Sequence, residues 1–324
     1  MNNRSPELIG KQGDSLRESF GKTLVKYADK NPNFVVLDAD IAGGTGAHHF
    51  RKSNPDRFFQ FGIAEQNMMA AAGGMAATGL VPIVTTFAVF MLRAIEQARL
   101  SIAYPKLNVK IVASHPGLDV GPDGASAQCL EDISAYRSLP NMVVLSPCDS
   151  LEIEQATIAM LEYEGPVYMR TGRSASVSFL PNDYKFKIGK GRVIKEGKDV
   201  TIIGCGVTTF RSLEAAKILE KQGVSARVIN MSTIKPIDRE LIIKCAKETK
   251  GIITVEDHNI IGGLGSAVSE VVVKDWPTKM EFVGVKDSFG ESGEPHLLAA
   301  KYGIDKKGIV NGVKQLLKKI NNEK

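Results

Sequence analysis

The sequence predicts two doubly wound α/β domains in tandem. Three observations carry that expectation. Short β-branched runs alternate with helix-period segments through most of the 324 residues. A stretch rich in Ser, Pro, Asn, Asp, Lys and Gly breaks the rhythm once, over 174–191, after which the alternation resumes. The chain is also longer than a single hydrophobic core usually grows, so a division near 185 gives units of 1–185 and 186–324.

Taken in order, the first unit opens on a helical pattern near 13–29. Strands are expected at 34–37, 82–86, 109–113, 142–145 and 167–169, short β-branched runs that read as buried. Helix-period segments near 64–79, 88–103 and 149–163 lie between them. The second unit repeats the scheme with strands at 200–203, 226–230, 252–255 and 282–285. It closes on an amphipathic helix that sets Leu316, Leu317 and Ile320 among lysines. Many glycines follow strands, where the ligand-facing loops of such sheets lie.

Composition removes several function classes. Lys+Arg 41 against Asp+Glu 36 gives +5, spread along the chain, and the one locally basic tail has no interleaved aromatics. No nucleic-acid partner is expected. Cys129, Cys148, Cys205 and Cys245 form no C-x-x-C pair, which argues for reduced thiols in a cytoplasmic protein rather than a disulfide framework or a metal site. The polar N-terminus reads as no signal peptide, and no apolar run approaches membrane-spanning length.

Four segments could carry chemistry. Glu65 is a lone acid at a predicted helix start, preceded by Phe58, Phe59 and Phe61 and followed by Phe87 and Phe90. Such a carboxylate can hydrogen-bond a flat heterocycle, or merely complement the helix dipole; the residues alone leave both readings open. The loop 114–128 holds His115, Asp119, Asp123, Ser126 and Gln128 after a predicted strand, and suits either a sugar or phosphate site or a solvated turn. Arg170 and Arg173 end another strand, where a guanidinium can bind phosphate bidentately or pair with a neighbouring acid. The turn at 262–268 has part of a dinucleotide fingerprint but lacks its last glycine and spaced acid, so it reads as a tight helix–strand packing turn.

In order along the chain stand F-G-I-A-E-Q at 61–66, T-F-A-V-F-M-L-R-A at 86–94 and H-P-G-L-D-V-G-P-D-G at 115–124. E-D-H-N-I-I-G-G-L-G at 256–265 and F-G-E-S-G at 289–293 complete the series. With this order and spacing, nearly the whole chain resembles the C-terminal half of transketolase and the matching part of 1-deoxyxylulose-5-phosphate synthase. The resemblance implies a thiamine-diphosphate pyrimidine-binding domain followed by a smaller transketolase C-terminal domain. It also implies a split enzyme. The N-terminal domain that binds the diphosphate through a G-D-G…N motif and holds Mg2+ or Ca2+ would be a separate subunit. This chain itself would supply no metal ligand.

Carried over by position, the resemblance gives Glu65 the aminopyrimidine ring nitrogen, promoting the imino form that deprotonates the cofactor's reactive carbon. Phe87 and Phe90 match the aromatic wall against the pyrimidine, and Ile63 and Asp40 fall at cofactor-facing positions. His115 matches a phosphate contact and Asp123 a hydroxyl contact. Arg17 faces the donor, and either Arg170 or Arg173 matches a phosphate-binding arginine. One departure stands out: Ala127 occupies a position where the family usually has a histidine that contacts the donor. That role is then absent, moved to the partner, or taken by a neighbour such as His48, His49 or Gln128.

The implied activity is transfer of a two-carbon ketol unit from a ketose phosphate to an aldose phosphate. The implied assembly is a homodimer of this chain within an α2β2 tetramer. The alternative enzymes are a 1-deoxyxylulose-5-phosphate synthase-like enzyme and the β subunit of a 2-oxo-acid dehydrogenase E1, the latter disfavoured by the G-P-D-G and F-G-E-S-G segments. A degenerate sugar-phosphate-binding regulator is the non-enzymatic alternative.

Overall fold

The structure is a computed structural model and describes residues 11–322. In chain order its strands are β1 Lys11–Ser15, β2 Phe34–Asp38, β3 Phe58–Gln60, β4 Val81–Phe87, β5 Lys110–Ser114, β6 Val143–Leu145 and β7 Val167–Thr171. These are followed by β8 Ala175–Ser178, β9 Arg192–Lys195, β10 Val200–Gly204, β11 Ala226–Asn230, β12 Thr233–Lys235, β13 Ile252–Asn259 and β14 Met280–Val285. Among the described residues they form a sheet of order β12-β6-β7-β5-β4-β2-β3, a second of order β14-β13-β10-β11-β9, and a β1-β8 ribbon. The two large sheets are parallel except at the β12 and β9 edges, which run antiparallel.

The alternation read from the sequence is this architecture. Every residue of β2, β5, β7, β10 and β11 is buried, as continuous Val/Ile-rich runs between two helical layers require. Each fully buried Val, Ile or Leu contributes roughly 1.5–3 kcal/mol. The flanking helices begin on side-chain caps. The Ser15 hydroxyl accepts from Glu18 N at 3.4 Å to start Leu16–Tyr27, and Asp149 Oδ1 accepts from Glu152 N at 2.9 Å to start Ser150–Glu162. The other Asp149 oxygen takes the N–H groups of Phe179 and Leu180, each at 3.1 Å, and so fastens the connection between the units.

Two features depart from the expected scheme. The helix expected over 88–103 is a chain of short pieces: Ala88–Met91 and Ile95–Gln97 are α-helical, Leu92–Ala94 is 3-10 and Ala98–Ala103 is π. The π segment lies where Glu65–Ala77 packs most closely, since a Cβ on Gly73 would sit 2.5 Å from the Ser101 carbonyl. Second, β12 comes from the C-terminal unit yet completes the first sheet. The units therefore share structure. Ile229, Met231 and Ile234 belong to the same buried cluster as Tyr136, Val144 and Tyr168. The buried Glu152 carboxylate also accepts from Cys148 N at 2.8 Å, Asn230 Nδ2 at 2.8 Å and Ser232 Oγ at 2.6 Å. No helix among the described residues is long and apolar enough to cross a membrane.

Candidate active site

The C-terminal ends of β2, β4, β5 and β7 open on the same edge of the first sheet, the edge at which parallel sheets bind ligands. Helix Glu65–Ala77 packs on β4 and begins there. Its cap residue Ala64 offers no side chain to the helix start, and Glu65 occupies the first turn. Glu65 is only 5% exposed, and its carboxylate makes no hydrogen bond or ion pair with a described residue. A buried carboxylate at the positive end of a helix is an acceptor lacking its donor.

The aromatic part of the site grows from the end of β4. Phe87, half-buried, stacks on Phe90 with ring centroids 5.8 Å apart and planes 9° apart. It also stacks on the His115 ring at 3.7 Å and 23°. A Cβ on Gly44 would meet the Phe87 ring at 2.6 Å, so only glycine lets the Ala42–Thr45 turn lie against it.

His115 follows β5 with φ 59°, a left-handed conformation that ordinary residues rarely adopt. Its Nδ1 lies 2.5 Å from Ser114 Oγ, and Ser114 donates to the Gly44 carbonyl at 2.8 Å. Arg17 Nη1 donates to the same carbonyl at 3.0 Å, while Arg17 Nε is buried without a partner. Arg173 reaches toward Asp123 at 3.8 Å. Burial, reinforced by the positive charges of Arg17 and Arg173, pushes the His115 pKa down to about 3. Burial likewise lowers Arg17. Two guanidinium groups and a neutral imidazole thus gather around a place suited to an anion.

The other candidate arginine is differently engaged. Arg170 grips Asp132 bidentately, Nε to Oδ2 at 2.7 Å and Nη2 to Oδ1 at 2.6 Å, and sends Nη1 to the Asp257 carbonyl at 3.2 Å. Tyr168 adds a hydrogen bond to Asp132 at 2.6 Å. Burial alone would raise Asp132, but the Arg170 charge outweighs it and holds the carboxyl below its ordinary range. Arg170 joins the two units, whereas Arg173 is the arginine of this pair whose charge reaches His115.

The second unit shapes the pocket through β13. Asp257 accepts the N–H groups of Leu118 and Asp119 at 2.8 and 3.1 Å, which fixes the loop after His115. Gly117 passes so close that a Cβ would lie 2.5 Å from the Asp257 carboxyl carbon. Gln128 Nε2 donates to the Gly121 and Glu291 carbonyls at 3.2 and 2.9 Å, tying the F-G-E-S-G segment to the same loop. Glu256 occupies the N-terminus of helix Leu264–Asp275, accepting from Leu264 N at 2.7 Å and Gly265 N at 2.9 Å. The partial dinucleotide fingerprint is thus a packing turn capped from within the protein.

The remaining sequence candidates are exposed or half-buried. Ile63 is 81% exposed, Asp123 is exposed, and Asp40 is exposed with φ 60° and its N–H bound to Gln60 Oε1 at 2.9 Å. Ala127 is half-buried in a turn closed by the Gly124 carbonyl at 3.0 Å. His49 Nε2 hydrogen-bonds Glu18 Oε2 at 2.7 Å, and His48 stacks on His49 at 4.0 Å. Glu18, His48 and His49 have ligand atoms within 4.8 Å of one another, but Lys22 and Lys52 share the rim of the adjoining cavity and oppose a cation there. Sequence reasoning missed Ser114, Gly44 and Asp257. A serine next to the candidate histidine was a usable signal; the other two depend on contacts 70 and 139 residues distant.

Comparison with known proteins gives a consistent result. Residues 13–177 match the transketolase pyrimidine binding domain, and residues 189–309 match the transketolase C-terminal domain. A Methanocaldococcus jannaschii protein provisionally named a transketolase C-terminal section is 44% identical, over 94% of this chain and 96% of that one. A 6-deoxy-6-sulfo-D-fructose transketolase subunit of a Clostridium species is 37% identical over 94% of this chain and 95% of its own. Among solved structures, a split gene transketolase described as an inactive beta4 tetramer superposes with a TM-score of 0.88 at 47% identity, covering 94% of this chain and 99% of that one.

Proposed function

This chain belongs to the transketolase family, and on that premise we propose that it is the C-terminal subunit of a split, thiamine-diphosphate-dependent transketolase. The reaction is transfer of a two-carbon ketol unit from a ketose phosphate to an aldose phosphate. The observation that carries the reading is Glu65: a buried carboxylate at a helix start, unpartnered among the described residues, on a helix that packs against the strand ending in Phe87. An aminopyrimidine answers both features, having a ring nitrogen for the carboxylate and a flat face for Phe87 and Phe90. Thiamine diphosphate, when bound, supplies the nucleophilic carbon.

The residues of this chain have four tasks in that scheme. Glu65 Oε shares a proton with the ring nitrogen. Phe87 and Phe90 orient the ring and keep water from its face, and Ile63 and Asp40 border it. Arg17, Arg173 and His115 hold the anionic end of the sugar, and Asp123 accepts from a sugar hydroxyl. The diphosphate and its Mg2+ or Ca2+ belong to a separate N-terminal subunit. A relative named as a C-terminal section and another described as an inactive tetramer of β chains support the need for that partner. The assembly would be an α2β2 tetramer built on a homodimer of this chain, working in the cytoplasm.

The sugar pair is set by the surroundings of Ala127. A relative named for a sulfonated fructose supports an anionic donor tail held by the same arginines, with phosphate the tail we favour. The test is ketol transfer by this chain mixed with its diphosphate-binding partner, compared with the same pair carrying Glu65→Ala. Loss of turnover by a factor of 100 or more in the variant is expected, on the order of a removed proton-transfer group. Near-unchanged rates would overturn the role assigned to Glu65.

A further inference from the structure

We propose that Ser114 makes His115 a proton-linked receptor: a phosphate group binds at His115 Nε2 together with one proton drawn from solvent. The inference deepens the functional reading above and rests on its placement of the sugar phosphate beside Arg17, Arg173 and His115.

The argument is a count of hydrogens. The Ser114 hydroxyl has one proton and two close neighbours, the Gly44 carbonyl at 2.8 Å and His115 Nδ1 at 2.5 Å. A carbonyl has no proton to give, so the contact with Gly44 is a hydrogen bond only if Ser114 donates. With that proton committed, the contact with His115 is a hydrogen bond only if Nδ1–H donates to Ser114 Oγ. The Gly44 oxygen also accepts from Arg17 Nη1 at 3.0 Å, which uses its second lone pair. The chain of donors thus runs from His115 to Ser114 and meets Arg17 at one carbonyl, each bond polarising the next.

This tautomer leaves Nε2 with a bare lone pair. A neutral imidazole so arranged cannot donate to a phosphate oxygen, because lone pair would face lone pair. Contact forms when a proton lies between them, either as Nε2–H against the dianion or as P–OH donating to Nε2. Both describe one proton taken up for each dianion bound. The charged groups facing the ring are Arg17, from the first helix, and Arg173, after β7; their nearest acids are Glu18 and Asp123. Phe87 covers the ring face. Together with burial, the two cations keep the free imidazole neutral, and a bound phosphate would offset them.

The experiment uses the full chain labelled with 15N at histidine, of which there are 5, with His115→Gln to assign the resonance. Inorganic phosphate is the probe. Without it, His115 should show a protonated Nδ1 and a bare Nε2, and Ser114→Ala should abolish that preference. With it, at a pH where the probe is the dianion, one proton should be taken up for each phosphate bound, seen as a shift of the Nε2 resonance, and affinity should fall about tenfold per pH unit. In Ser114→Ala this linkage should vanish. An Nε2–H tautomer in the free protein would overturn the proposal. So would a His115 that responds to phosphate with no proton taken up from solvent, which overturns the linkage alone. Phosphate that leaves His115 unperturbed would overturn both the linkage and the phosphate placement, so the two failures are told apart.

Discussion

A buried imidazole between two guanidinium groups has essentially one protonation state near neutrality, and stability should record it. His115 titrates at about 3 in the folded chain, against ~6.5 when unfolded. Between those values the unfolded chain binds a proton that the folded chain refuses, so stability falls as pH falls through the window. Relative to His115→Gln, the native chain should lose about 1.4 kcal/mol per pH unit there, measured by urea unfolding at several pH values. A like argument applies to Asp132. Removing it strands Arg170, which is 5% exposed, so Asp132→Ala should cost about 3–5 kcal/mol in the same assay. At this scale the burial of Glu65 at a helix start was foreshadowed by its place among aromatics, and the stacking of His115 on Phe87 was not, since it joins two strands. The engagement of Arg170 was not either, because its partner Asp132 lies 38 residues before it and on another element.

The loop after His115 is an element built by two domains. Its backbone donors end on Asp257, and Gly117 has φ 74° with Asp257 filling the space a side chain would need. Gly117→Ala should therefore destabilise by about 1–3 kcal/mol and raise KM for a sugar phosphate. Gly79→Ala is the control: φ is 93° but nothing lies within 4 Å, so only the backbone strain remains and KM should not move. Comparing melting temperatures and KM for the two variants separates the collision from the strain. Central strands were readable from sequence because burial on both faces favours a run of apolar residues, as over the first four residues of Phe34–Asp38. Edge strands such as Phe58–Gln60 and Thr233–Lys235 were not, being three residues long and bearing Gln60 and Lys235. The broken segment over 88–103 has a helix period in sequence, and its π turn is located by Gly73 on a neighbouring helix.

For the whole molecule, the division into two α/β units was visible in the interrupted rhythm, while the crossing of β12 into the first sheet was hidden. Three residues with no long apolar run cannot announce which sheet they will join. The lone chain leaves Ile63 81% exposed and Phe59 37% exposed beside Glu65. Apolar surface at a site edge is expected to be covered in an assembly. Light scattering at micromolar concentration should accordingly report a dimer or larger, and a stable monomer would contradict the proposed quaternary structure. The central claim is that this chain supplies one half of a thiamine-diphosphate site. Its most direct test is ketol transfer from xylulose 5-phosphate to ribose 5-phosphate by the chain, by its diphosphate-binding partner, and by the two together with thiamine diphosphate and magnesium. The account predicts transfer by the pair, none by either chain alone, and turnover lower by a factor of about 100 or more in the pair carrying Glu65→Ala. Turnover by one chain alone, or by the Glu65→Ala pair at near-native rate, would contradict it.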